Sequence, residues 1–292
     1  MYYLIVYSIL NFFYIKLAKF YKIYDSPNNR SSHLNNTITG GGIIFPIAFL
    51  FPIIINQSYD NYKYISLGLI FLSIISFIDD IKNINNYLRL FIHSIAVILI
   101  FHQTSILDFN LIYLIIFFVF ITGIINSYNF MDGINGINGL YSLSFFISIF
   151  FINKYYFSII DQYIIVSILI SILIFLFYNF RNKAIYFSGD VGSITISYII
   201  SFIILFLIIL DNNIKWILLL GIYGLDSLGT IILRLIRREN ILTAHRSHLY
   251  QYLYNEKKIS ALIISVIYSV LQIAINYMII YYSEIFYIIF YI

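Results

Sequence analysis

Hydrophobic positions in this chain run in long unbroken stretches, with no alternation of apolar and polar residues that would mark a half-buried strand. Each stretch is about as long as a helix that crosses a hydrocarbon layer of about 30 Å. Ten are predicted: Tyr2 to Phe20, Gly41 to Asn56, Tyr64 to Ile78, Leu88 to His102, Leu111 to Asn126, Gly139 to Asn153, Gln162 to Tyr178, Gly192 to Leu210, Trp216 to Ile236 and Ser260 to Tyr281. Polar residues collect in the segments between them. The expected fold is an all-α integral membrane protein, a single polytopic domain over residues 1–292.

Composition agrees. Of 292 residues, 61% are hydrophobic and 10% charged, and the mean hydropathy is +0.91, outside the range of soluble domains. The first stretch lacks a small-residue cleavage site and reads as a retained span. Cysteine is absent, which excludes disulfides and thiol chemistry.

Charge sets the orientation. Ten spans divide the loops into two sets; one holds 14 of the 17 Lys and Arg residues, and the other holds only Lys63, Lys154 and Lys215. The positive-inside rule makes the richer set cytoplasmic, with both termini outside. Basic rims near anionic lipid account for the net charge of +4, so no nucleic-acid partner is implied.

The distinctive sequences all fall on that richer side: "YDSPNNRSSHLNNTITGGG", "DDIKNINNYLR", "NSYNFMDGINGING", "YNFRNKAIYFSGDVGS" and "RRENILTAHRSHLYQ". Asp79 and Asp80 end the third span, at the partly negative end of a helix, where two carboxylates repel each other and the dipole. Either both face water or a cation compensates them. Asp190 opens the eighth span, between Gly189 and Gly192, which suit close approach of a ligand to the backbone. Asn126, Asn129, Asp132, Asn135 and Asn138 recur every third residue among glycines. Amides suit a base or sugar, and their oxygens, with carboxylates, suit Mg²⁺ beside phosphate. His245, Arg246 and His248 suit a diphosphate or sugar better than zinc, since no third ligand completes a zinc site. Asp226 lies within the ninth span, where a carboxylate is costly and faces a polar interior.

Taken together, "PNNRSSH", "TITGGG", "IDDIKN", "NFMDGINGING", "FSGDVGS" and "AHRSHLYQ" resemble the polyprenyl-phosphate N-acetylhexosamine-1-phosphate transferases, glycosyltransferase family 4, over residues 25 to 251. The resemblance implies transfer of a sugar 1-phosphate from a UDP-sugar (GlcNAc, FucNAc, QuiNAc or GalNAc) to undecaprenyl phosphate. UMP leaves, Mg²⁺ or Mn²⁺ assists, and the site faces the cytoplasm of a bacterial inner membrane. A homodimer is compatible with it. It further implies Asp190 and Asn129 as metal ligands and Asp79 and Asp80 as base or electrostatic partners. Phe187 would stack on uracil, Asp132 and Asn135 would contact uridine, and Asn179 and Arg89 would complete the substrate site. His245, Arg246 and His248 would hold the diphosphate or sugar.

Some positions depart from the family pattern. Asn135 stands where many members carry a second Asp, and Thr37-Ile38-Thr39-Gly40 replaces a Pro-Thr-Pro-Arg run. The interval from Asn179 to Asp190 is one residue longer. Arg246 and Ser247 stand where the phospho-MurNAc-pentapeptide translocase has His, which favours the O-antigen or capsule branch. A transporter or lipid flippase, the alternative of another class, would place its polar groups near the membrane midplane.

Overall fold

The computed structural model describes residues 2–25, 36–240 and 246–282. Among the described residues, eleven α-helices follow in order: α1 (Tyr2–Phe20), α2 (Ile44–Ile55), α3 (Lys63–Ile81), α4 (Asn86–Gln103), α5 (Leu111–Met131), α6 (Ile137–Tyr155), α7 (Gln162–Asn179), α8 (Gly189–Asp211), α9 (Gly221–Ile236), α10 (Leu249–Asn255) and α11 (Ala261–Tyr281). Strands β1 (Tyr24–Asp25) and β2 (Thr37–Ile38) pair antiparallel, and Ile38 bridges in parallel to Tyr186. All ten expected spans are helical. Eight are long and apolar enough to cross a membrane; the segment Gly41–Ile55 is shorter. α4 falls outside that set because Asn86, Arg89, His93, His102 and Gln103 dilute it. The additional short helix, α10, was not expected.

Helix α8 is the hub. With 16 of its 23 residues buried, it packs against α2, α3 and α5. α1 and α5 instead turn residues such as Leu4, Phe12, Ile116 and Val119 outward, as helices with lipid for solvent do. Without a hydrophobic drive between helices in lipid, close contact and polar pairs join them. Gly68 of α3 leaves room for the Tyr198 hydroxyl of α8, which donates to the Ala96 carbonyl of α4 at 2.9 Å. Gln272 of α11 accepts from Tyr141 at 2.6 Å and from the Ile222 amide at 3.0 Å, and donates to the Leu218 carbonyl at 2.9 Å. It thereby satisfies backbone groups where the 3-10 turn Ile214–Leu220 passes into α9, a junction that lipid could not solvate.

Successive membrane helices alternate in direction. The α3–α4, α5–α6, α7–α8 and α10–α11 junctions and the β1–β2 strands therefore meet at one end of the bundle.

Candidate active site

A cavity of about 950 Å³ opens at that end. Asp79, Asp80, Arg89, Asn129, Asp132, Asn135, Asn179, Phe187 and Asp190 all line it, so nine of the residues singled out from separate loops converge. His245 lies outside the described residues, and neither Arg246 nor His248 lines this cavity.

The paired aspartates part company in their contacts. Asp79 accepts from the Ile84 amide at 2.7 Å and from the Arg89 guanidinium at 2.6 Å, closing the turn between α3 and α4. Asp80 accepts from the amides of Asp190 and Val191 at 2.8 and 3.1 Å. The repulsion expected at the end of α3 is therefore met twice, by Arg89 and by the partly positive start of α8. Asp190 is less engaged: Arg89 lies 3.6 Å away, and 28% of its side chain is exposed. It also comes within hydrogen-bonding reach of Asp79 and Asn129.

The glycines serve a different purpose from the one the sequence suggested. A Cβ on Gly192 would sit 2.8 Å from the Gly42 Cα, and one on Gly189 would sit 2.4 Å from the Asp80 carboxylate. Gly42 and Gly192 thus let two backbones touch, and Gly189, at φ +70°, makes room for Asp80. The backbone amides at the start of α8 already hold a carboxylate of the protein itself.

Asp132 is partly buried and accepts from the Ser188 hydroxyl. Burial pushes its carboxyl up to about 7, the Ser188 hydrogen bond restrains the rise, and the charge of Asp190 adds to it. Asn135 donates to the Arg181 carbonyl at 2.7 Å. Backbone carbonyls only accept, so its NH₂ must face them and Oδ1 points the other way. A carboxylate could not make this bond, which accounts locally for Asn at the position. Asn179, expected at the substrate site, lines the cavity and also braces its wall. Its Oδ1 takes the Gly136 amide at 2.7 Å and its Nδ2 donates to the Tyr186 carbonyl at 2.9 Å. Bonded at both ends, it joins two loops. Phe187 is held by its backbone, donating to the Ile38 carbonyl at 2.8 Å and accepting from the Gly41 amide at 2.9 Å.

His248, expected to hold the diphosphate or sugar, lies away from the cavity. It is buried, with Nδ1 3.2 Å from the Asp226 carboxylate. Asp226 also accepts from the Leu249 and Tyr250 amides at 2.9 and 3.2 Å and from the Tyr268 hydroxyl at 2.7 Å. The costly intramembrane carboxylate is thus the anchor of α10. Tyr250 of that helix donates to the Phe130 carbonyl at 2.8 Å and fills the space Gly133 leaves. Gln251 and Tyr254 reach the cavity wall. Sequence reading missed Tyr254, since nothing in "LYQYLYN" marks one tyrosine among many; Gln251 sat unweighed inside a quoted motif. Arg246 lines a second cavity of about 940 Å³ with Arg234 and Arg237, between α9, α10 and α11, which meets the first at Gln251.

The family model described as glycosyl transferase family 4 matches residues 62–208, half of the chain, including Asp79, Asp80, Asn129, Asp132 and Asp190. The chain belongs to glycosyl transferase family 4. Members of this family are polyprenyl-phosphate sugar-1-phosphate transferases, so the cavity belongs to an enzyme acting on a polyprenyl phosphate and a nucleotide sugar. A comparison with the curated proteins found no match.

For a family 4 enzyme handling two phosphates, the charge of this cavity is the telling property. Asp25, Asp79, Asp80, Asp132 and Asp190 face it against Arg89 and Lys183 among the described residues. No group of three His, Cys, Asp or Glu forms a ready-made metal cage among those residues. Magnesium needs none: it keeps several waters and takes one or two carboxylates together with substrate phosphates. Asp190, with Asp79 and Asn129 beside it, fits that donor set. The Asn129 Oδ1 accepts from Ser193 at 3.1 Å, which holds the amide in place.

Proposed function

We propose that the enzyme transfers N-acetylhexosamine 1-phosphate from a UDP-sugar to undecaprenyl phosphate at the cytoplasmic face of a bacterial inner membrane. UMP is released and a cell-envelope glycan begins. The sugar is GlcNAc or one of FucNAc, QuiNAc and GalNAc. The observation that carries this reading is the convergence of Asp79, Asp80, Asp132 and Asp190 on one cavity whose family substrates are anions. Among the described residues, Asp79, Asp80 and Asp190 gather around Arg89 and repel phosphate unless a divalent cation is part of the working site.

In the reaction, an oxygen of the lipid phosphate attacks the sugar-bearing phosphorus, and the bond from that phosphorus to the UMP oxygen breaks. Asp190 and Asn129 would hold Mg²⁺ or Mn²⁺, which when bound would supply positive charge between the two phosphates and on the leaving UMP. A phosphate monoester is largely ionised at neutral pH, so the acceptor needs no strong base. Asp80, with both oxygens on α8 amides, acts by fixing where Asp190 stands. Asp79 is pinned by Arg89, which places the guanidinium between Asp79 and Asp190. Phe187 offers a ring face to uracil, and Asp132 and the outward Oδ1 of Asn135 offer polar contacts to uridine.

The reading is tested by incubating membranes containing the protein with undecaprenyl phosphate, Mg²⁺ and each UDP-sugar, then measuring UMP and lipid-linked product. Product from one N-acetylhexosamine, and none from UDP-MurNAc-pentapeptide, supports it. UMP only from the pentapeptide substrate would assign the translocase reaction instead.

A further inference from the structure

Asn11 sits in the middle of α1 and is only 3% exposed, on a helix whose neighbouring residues Ile9, Phe12 and Phe13 face outward. A buried amide at this depth demands partners. Its Oδ1 accepts from the Tyr186 hydroxyl at 2.9 Å, and its Nδ2 donates to the Tyr7 carbonyl at 3.3 Å. Tyr186 is fully buried and immediately precedes Phe187. Its ring fills the space Gly41 leaves, where a Cβ would come within 2.1 Å, and it stacks on Tyr178 at 5.3 Å.

The backbone around Phe187 is held from both sides, by Ile38 and by Gly41. The Tyr186 side chain adds a further hold on this platform, an anchor that ends on Asn11. α1 and the glycine loop both precede residue 62, where the family match begins.

We propose that Asn11 is a positioning residue for the nucleotide subsite, acting through Tyr186 to hold Phe187 against the base of the nucleotide sugar. This rests on the reading of Phe187 as the base platform. If the hydrogen bond served only to pack α1 onto the bundle, removing both partners together would repair what removing one damages, because two apolar groups of similar shape replace a satisfied pair at little cost. A positioning role is not repaired in this way.

The test uses purified full-length protein with Asn11→Leu, Tyr186→Phe and the double variant. The measurements are thermal midpoint, kcat and KM for the UDP-sugar, KM for undecaprenyl phosphate, and calorimetric binding of UDP with Mg²⁺. The expected result is a KM for UDP-sugar and a Kd for UDP raised about fivefold in all three, the equivalent of one hydrogen bond. kcat and the lipid KM stay within about twofold, and the double variant regains thermal stability without regaining affinity. Recovery of affinity along with stability in the double variant, or unchanged affinity throughout, would overturn the proposal. Wild-type protein that binds UDP but releases no UMP would contradict the proposed reaction and leave the binding comparison standing; wild-type protein that binds no UDP would sink both.

Discussion

Asp80 holds Asp190 by its backbone: the carboxylate at the end of α3 accepts the Asp190 amide at 2.8 Å and the next amide at 3.1 Å. One aspartate of the pair thus positions the helix that presents another, and the two differ in what their loss should do. Asp80→Ala should destabilise the protein by about 1 to 2 kcal/mol, the range of a lost helix cap, and lower turnover through displacement of Asp190. Asp190→Asn keeps size and shape and should leave the thermal midpoint close to wild type while lowering kcat by about 100-fold or more. Thermal unfolding and steady-state kinetics on both variants separate the roles. Equal stability loss in the two would contradict this division.

Gly192 and Gly224 are both helical glycines with opposite surroundings. A Cβ on Gly192 meets Ser188 and Gly42 at 2.7 and 2.8 Å, whereas one on Gly224 meets nothing within 4 Å. Gly192→Ala should therefore cost about 1 to 3 kcal/mol by overpacking. Gly224→Ala should be neutral or stabilise α9 by up to about 1 kcal/mol. Melting curves of the two variants in the same detergent decide it.

Asp132 makes the stability of the substrate-free protein depend on pH. Its carboxyl is raised to about 7 in the folded state, so the folded protein keeps a proton there that the unfolded chain gives up near pH 4. Its contribution is fully present below about pH 4 and is lost as pH rises towards 7. Asp132→Asn should flatten that part of the thermal-midpoint profile between about pH 4 and 7. An unchanged slope would mean that Asp132 ionises normally.

Asp226 anchors α10 through two amides, a hydroxyl and His248. Asp226→Asn turns an NH₂ towards the Leu249 or Tyr250 amide, which can only donate, and should cost about 2 kcal/mol or more, with lower turnover as Gln251 and Tyr254 shift. Tyr268→Phe removes one contact and should cost about 1 kcal/mol. A stability loss for Tyr268→Phe as large as that for Asp226→Asn would contradict the anchor.

Much of this was legible in the sequence. In a chain this apolar, unbroken stretches mark helices directly, and each of the ten became one. The loops that face the cavity announced themselves by carrying the Gly, Asn and Asp that membrane helices exclude. What sequence could not carry was which partner each polar group would take. Gly189 and Gly192 read as space for a ligand, but the space is filled by Asp80 and Gly42. Asn179 and His248 read as substrate contacts, and both also bond to the scaffold. Those pairings join residues far apart along the chain, such as Gly42 with Gly192, and local spacing holds no information about them.

The central claim is that phosphate travels with the sugar. UDP-GlcNAc, or whichever UDP-sugar proves active, should be prepared in two forms, one with the label on the phosphate next to uridine and one on the phosphate next to the sugar. After incubation with the purified protein, undecaprenyl phosphate and Mg²⁺, the uridine-side label should appear only in UMP and the sugar-side label only in the lipid product. Sugar-side label in released UDP, with unlabelled lipid-linked sugar, would contradict the account.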